Sequence, residues 1–224
     1  MDVTALLTYY RFPIETIYVL LVVLPSFLTY LKSRRIYQFS HYRPVHFFSL
    51  SFLWLSLAFL FRYAVMLVMI FLEHQSLSTI QSSSILTILT EFFALLPGFF
   101  LVYSLFWRRF HPRFIQITLY LAAALISIID FVLGGFLLMY ISQIGLFAVG
   151  SIIAYRRHRT SRGNARFKQL FTLCMLLFLI VWIANLAGQY LINLIPILRI
   201  YVYLITGGTA LLFLHIVHQL TKGF

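Results

Sequence analysis

The chain holds five carboxylates, Asp2, Glu15, Glu73, Glu91 and Asp130, against 17 lysines and arginines. Glu91 and Asp130 lie inside long apolar runs, and so do Arg62 and Arg199. A charge at the centre of a bilayer costs roughly 2.5–3.5 kcal/mol on insertion scales, so it normally faces inward and finds a partner. Two cations and two anions can neutralise one another. Asn185 and Gln189, four apart, present one polar helical face. Arg62, Glu91, Asp130, Asn185, Gln189 and Arg199 are therefore the candidate ligand or ion-pair cluster. Two chemistries fit it. One is a buried ion-pair network that fixes helix register and binds nothing. The other is a polar pocket open to one side, serving a small ligand or a proton or ion path. Which arginine meets which carboxylate depends on helix order.

Histidine supplies the other candidate chemistry. His215 and His218 are three apart and share a helix face, and His46 lies at a similar depth. Imidazoles clustered at one depth can hold zinc or ligate haem. No carboxylate sits at that level to orient them, so no metal and no haem is expected. The lone cysteine, Cys174, sits in an apolar run, where it behaves as a small hydrophobe. There is no H-E-x-x-H, no G-x-S-x-G, no glycine-rich phosphate loop and no C-x-x-C. The expectation is a protein that is not an enzyme.

These residues must be positioned by membrane spans. The 224 residues are 62% hydrophobic and 10% charged, with a mean hydropathy of +0.96. Soluble domains are about 45–50% apolar and about 25% charged. A water-soluble globule, a disordered tail and a disulfide scaffold are excluded. A helix crosses a bilayer core of about 30 Å with roughly 20 apolar residues. Seven stretches qualify, near 14–31, 45–72, 84–107, 114–131, 136–155, 169–191 and 199–220. The fold expected is one all-α seven-transmembrane-helix domain spanning residues 1–224. Gly134–Gly135 marks the break between the fourth and fifth spans, and the second is long enough to tilt. A β-barrel would need alternating polarity, which the uniformly apolar run Leu173–Ile183 denies. The start, Met1 to Phe12, is not basic and does not read as a signal peptide.

A net charge of +12 invites a nucleic-acid partner, but the positions argue against one. Lys32, Arg34, Arg35 and Arg43 fall between spans one and two, and Arg108, Arg109 and Arg113 between three and four. Arg156, Arg157, Arg159, Arg162, Arg166 and Lys168 fall between five and six, and Lys222 follows seven. Only Arg11, Arg62 and Arg199 lie elsewhere. Positive loops stay in the cytoplasm, so the amino terminus is expected outside and the carboxyl terminus inside a cell membrane. The basic loops then meet anionic inner-leaflet lipid. The 156–168 loop is also a docking surface for another membrane or cytoplasmic protein. In this orientation the charged cluster lies in the outer half of the bilayer.

A faint internal echo runs through the chain. Tyr30 precedes Lys32, Arg34 and Arg35, as Tyr155 precedes Arg156, Arg157 and Arg159. Pro97–Gly98 in span three is matched by Gly207–Gly208 in span seven. This is the pattern of a three-plus-one-plus-three parallel duplication. Pro25 and Pro97 kink their helices and free a carbonyl each.

The layout resembles the microbial rhodopsins in topology. That family attaches retinal through a lysine within the seventh helix. The lysines here are Lys32, Lys168 and Lys222, all at the basic ends, so retinal is excluded. The layout is also similar to the seven-helix membrane inputs of some bacterial sensor kinases, and to small sugar transporters built from two three-helix repeats. These are likenesses of layout alone. The functional expectation is a receptor-like or ligand-binding membrane protein. The alternatives are a small transporter or channel that uses the same cluster, and a non-catalytic accessory subunit of a larger membrane complex.

Overall fold

The computed structural model describes residues 11–73, 79–106, 112–160, 165–191 and 198–221, and seven helices account for most of them. They are α1 (Arg11–Ser40), α2 (Arg43–Glu73), α3 (Thr79–Phe106), α4 (Pro112–Leu133), α5 (Leu137–Thr160), α6 (Ala165–Leu191) and α7 (Leu198–Thr221). Helices α1 to α5 are long and apolar enough to cross a membrane, and α6 carries a shorter apolar run, Met175–Ala187.

Eight polar residues inside these helices bond to their own backbone. Ser49, Ser51 and Ser56 in α2 each donate to a carbonyl three residues back. Thr90, Thr118, Ser127, Asn185 and Thr209 donate to a carbonyl four back. Such a residue needs neither water nor a neighbouring helix, which suits a helix in hydrocarbon. The outward faces are apolar. On α4 the stripe Phe114, Ile117, Leu121, Leu125 and Val132 is 59–76% exposed at helical spacing. A patch of that size in contact with water would drive association. In a bilayer it is the lipid face. The chain is a multi-pass, membrane-embedded helical protein.

Packing follows a ring. α1 packs on α2, α2 on α3, α3 on α5, α5 on α6, α6 on α7, and α7 returns to α1. α4 stands outside this ring, packed on α3 and more lightly on α5.

α3 is the pillar of the bundle. Leu95, Leu96 and Phe100 are fully buried, and Phe99 and the run Leu101–Leu105 are nearly so. A helix that is apolar all round belongs inside. One side of it packs with Phe47, Ala123 and Met139, the other with Phe52, Phe147, Met175 and Phe178. A separate cluster of Tyr18, Val19, Val22, Val23 and Ala210 joins α1 to α7.

Candidate functional site

The α4–α5 turn is built by glycine and closed by Asp130. Gly134 has φ +76°, open to it because it carries no Cβ. Its N–H donates to the Phe131 carbonyl at 3.1 Å, and the Gly135 N–H donates to the Asp130 carbonyl at 3.2 Å. This pair of bonds is a Schellman termination of α4. The chain then reverses into α5, and the Asp130 side chain reaches across to cap it. Its Oδ1 accepts from the Leu138 N–H at 3.0 Å and its Oδ2 from the Met139 N–H at 2.7 Å. A carboxylate on the first free N–H groups of a helix satisfies orphan donors and complements the dipole. Asp130, 1% exposed, continues the buried stripe Ala123–Ser127 of α4.

Glu91 lies beside this cap, on α3. It is 1% exposed, and neither carboxylate oxygen has a hydrogen-bond partner among the described residues. The charge that acts on it is a like one, Asp130. Nearly two turns further along α3, Pro97 removes one N–H from the backbone ladder. Gln143 of α5 packs against this stretch. Its amide donates to the Leu95 carbonyl at 3.0 Å and reaches that of Ala94 at 3.5 Å. Gly98 makes room for it, because a Cβ there would collide with Gln143 Oε1. That oxygen is buried without a partner. Nearby, between α2, α3, α5 and α6, is a cavity of about 20 Å³ lined by Phe52, Leu55, Leu101, Phe147, Phe178 and Trp182, with Ser51, Pro97 and Gly98. It has room for about one water.

The structure brings Glu91 and Asp130 together and places Arg62 elsewhere. The Arg62 side chain is exposed on α2. It acts electrostatically on Tyr18 of α1, as Glu15 also does, and Tyr18 hydrogen-bonds Thr206 of α7. Thr16 and Tyr63 hydrogen-bond close by at 2.8 Å. Arg62 thus belongs to an α1–α2–α7 group. Asn185, half-buried, donates to the Val181 carbonyl of its own helix at 2.8 Å. Gln189 lies in α6 and Arg199 in α7, and their side chains fall outside the described residues.

The histidines divide in the same way. The His46 ring lies 4.8 Å from that of Tyr37 in α1. Lys32 Nζ donates to His218 Nδ1 at 2.7 Å, which occupies that nitrogen with a cationic neighbour. His215 is exposed. Among the described residues, no group of three or more His, Cys, Asp or Glu is placed to hold a metal. Cys174 lies in α6 with its side chain outside the described residues.

Sequence reasoning passed over Gln143. Its signal was a lone amide within an apolar run. The cap formed by Asp130 also had a signal, a carboxylate just before a Gly-Gly reversal into a new helix.

No protein-family model matches the chain, and no solved structure does. An uncharacterized protein of Archaeoglobus fulgidus is 29% identical over 182 residues, covering 77% of this chain and 78% of that protein. The similarity therefore runs through most of both sequences.

Proposed function

We propose that this chain is a receptor-like, ligand-binding membrane protein without catalytic activity. It spans a cell membrane seven times with its amino terminus outside. A small ligand entering from the outer side engages the seam of α3, α4 and α5 at Glu91 and Asp130. The basic inner loops, 156–168 above all, face anionic lipid and a partner that carries the signal.

The observation that supports this reading is Glu91, a buried carboxylate with two unpartnered oxygens beside a second carboxylate. An unsatisfied buried charge costs several kcal/mol in such surroundings. A site that retains one is suited to binding something that satisfies it.

The test is thermal unfolding of the full chain in lipid nanodiscs against a panel of small amines, carboxylates and sugars. A ligand stabilises by mass action. At least one solute is expected to raise the midpoint in the parent and not in Glu91→Gln, with no flux in liposomes. A panel that moves nothing refutes the reading, as does a Glu91→Gln variant that responds like the parent. Orientation is checked separately with an impermeant reagent on intact cells. Modification of a cysteine placed in the 156–168 loop would overturn it.

A small transporter is the second reading. The Pro97–Gly98 kink one to two turns from Glu91 favours it, because a kinked helix beside a buried charge is a place to hinge. Solute flux stopped by Glu91→Gln would select it.

A further inference from the structure

Arg62 is an exposed side chain on the inward face of the six-helix ring. The outward stripe of α2 is Leu57, Leu60, Ala64 and Leu67, all exposed at helical spacing. Arg62 falls on the opposite face, seven residues, about two turns, beyond Leu55. Leu55 and Ser51 on that same face line the small cavity between α2, α3, α5 and α6. Exposure on the outward stripe is lipid contact. Exposure on the inward face requires an opening into the ring. The opening is blind, because Phe52, Phe147 and Phe178 around the cavity beneath it are at most 8% exposed. In the orientation proposed above it faces outward.

Its walls come from helices on both sides of the ring. Tyr18 of α1 is buried and feels Arg62 of α2, Glu15 of its own helix and Tyr140 of α5, and it hydrogen-bonds Thr206 of α7. α1 and α5 are not neighbours in the ring, so Tyr18 and Tyr140 act on each other across it. The Tyr140 ring meets Trp182 of α6 edge to face, centroids 5.8 Å apart, and Trp182 also lines the cavity. One cation, one anion and an aromatic wall therefore share a level.

The charges select the ligand. A bare anion drawn to Arg62 is repelled by Glu15, and a bare cation meets the reverse. A molecule that carries both charges is attracted by both. An ion pair with an exposed member is worth little, so a ligand that engages both groups at once can replace a contact between them. The guanidinium fork fits a carboxylate bidentately, and the Tyr140 and Trp182 rings suit an apolar side chain. We propose that this opening binds a small zwitterion, an α-amino acid with an apolar side chain, its carboxylate on Arg62 and its ammonium on Glu15. The site uses neither Glu91 nor Asp130 and goes beyond the reading of that seam.

The experiment is thermal unfolding of the full chain in nanodiscs of uncharged phospholipid, titrated with L-leucine and with its two halves, 3-methylbutylamine and 4-methylpentanoate. L-Leucine at ten times its Kd is expected to raise the midpoint by about 3–6 °C, and each half at the same concentration should leave it unmoved. Arg62→Gln and Glu15→Gln should each lose the response, and Glu91→Gln should keep it. Arg62→Lys, which keeps the charge without the fork, should weaken binding about tenfold. Equilibrium dialysis with tritiated leucine reads the same site without reference to stability. On a Cys174→Ser background, Arg62→Cys should react with a water-soluble thiosulfonate and Leu60→Cys should not. A midpoint that leucine does not move, or a chain that retains no tritium, overturns the proposal. An unreactive Arg62→Cys overturns the opening, and an equal response to either half overturns the zwitterion assignment. A leucine response lost in Glu91→Gln and kept in Arg62→Gln moves the ligand to the seam and overturns this inference alone. A leucine response beside a solute panel that never depends on Glu91 overturns the seam reading alone.

Discussion

Replacing Asp130 by alanine tests the account of the α4–α5 reversal most directly. The carboxylate accepts two backbone N–H groups at the start of α5, at 3.0 and 2.7 Å, and is 1% exposed. Alanine leaves one buried and one part-buried donor unpaired, at about 1–3 kcal/mol each. Part of this is returned, because the repulsion between Asp130 and Glu91 disappears. The net loss should be about 2–4 kcal/mol. Asn keeps one acceptor oxygen and so one of the two bonds, and Asp130→Asn should cost about half as much. The assay is equilibrium unfolding in mixed micelles. A double-mutant cycle with Glu91→Gln adds a sign. With Glu91 neutralised there is no repulsion to relieve, so Asp130→Ala should cost more in that background than in the parent. An Asp130→Ala protein within about 0.5 kcal/mol of the parent would refute the cap. A cycle of opposite sign would refute the repulsion.

Two further substitutions probe the same framework. Gly98→Ala places a methyl group on Gln143 Oε1 in a fully buried seam and should destabilise by about 1–3 kcal/mol. Gln143→Ala in the same chain should recover part of the loss in the same unfolding assay. Arg62→Gln, on an exposed side chain, should cost less than about 1 kcal/mol. A loss of about 3–5 kcal/mol would instead mark Arg62 as half of a buried ion pair.

The helical architecture was legible because its causes are local. Apolar runs of about 20 residues, glycines at the α4–α5 reversal and proline within α1 and α3 act over a few residues of chain. Glu91 and Asp130 could be marked as costly for the same reason. Their arrangement could not be read, because it depends on which helices touch. Arg62 shared a depth with Glu91 in the sequence, yet α2 presents it toward Tyr18 and α1. Asp130 looked like half of an ion pair and serves as a backbone cap. Gln143 carried no charge to attract notice. Its place is set by the Leu95 carbonyl and by Gly98 on α3, which lie nearly 50 residues away in sequence.

α4 has a consequence for how such a chain could have arisen. An odd number of helices between two like triplets keeps both triplets pointing the same way. If all seven helices cross the membrane as proposed, then without α4 the second triplet would be inverted. Its position outside the ring fits a parity element, a helix that turns the chain round once. A fused tandem copy of a three-helix ancestor would need such a connector to pair its halves about an axis normal to the bilayer. Losing it would leave a pair of antiparallel halves instead.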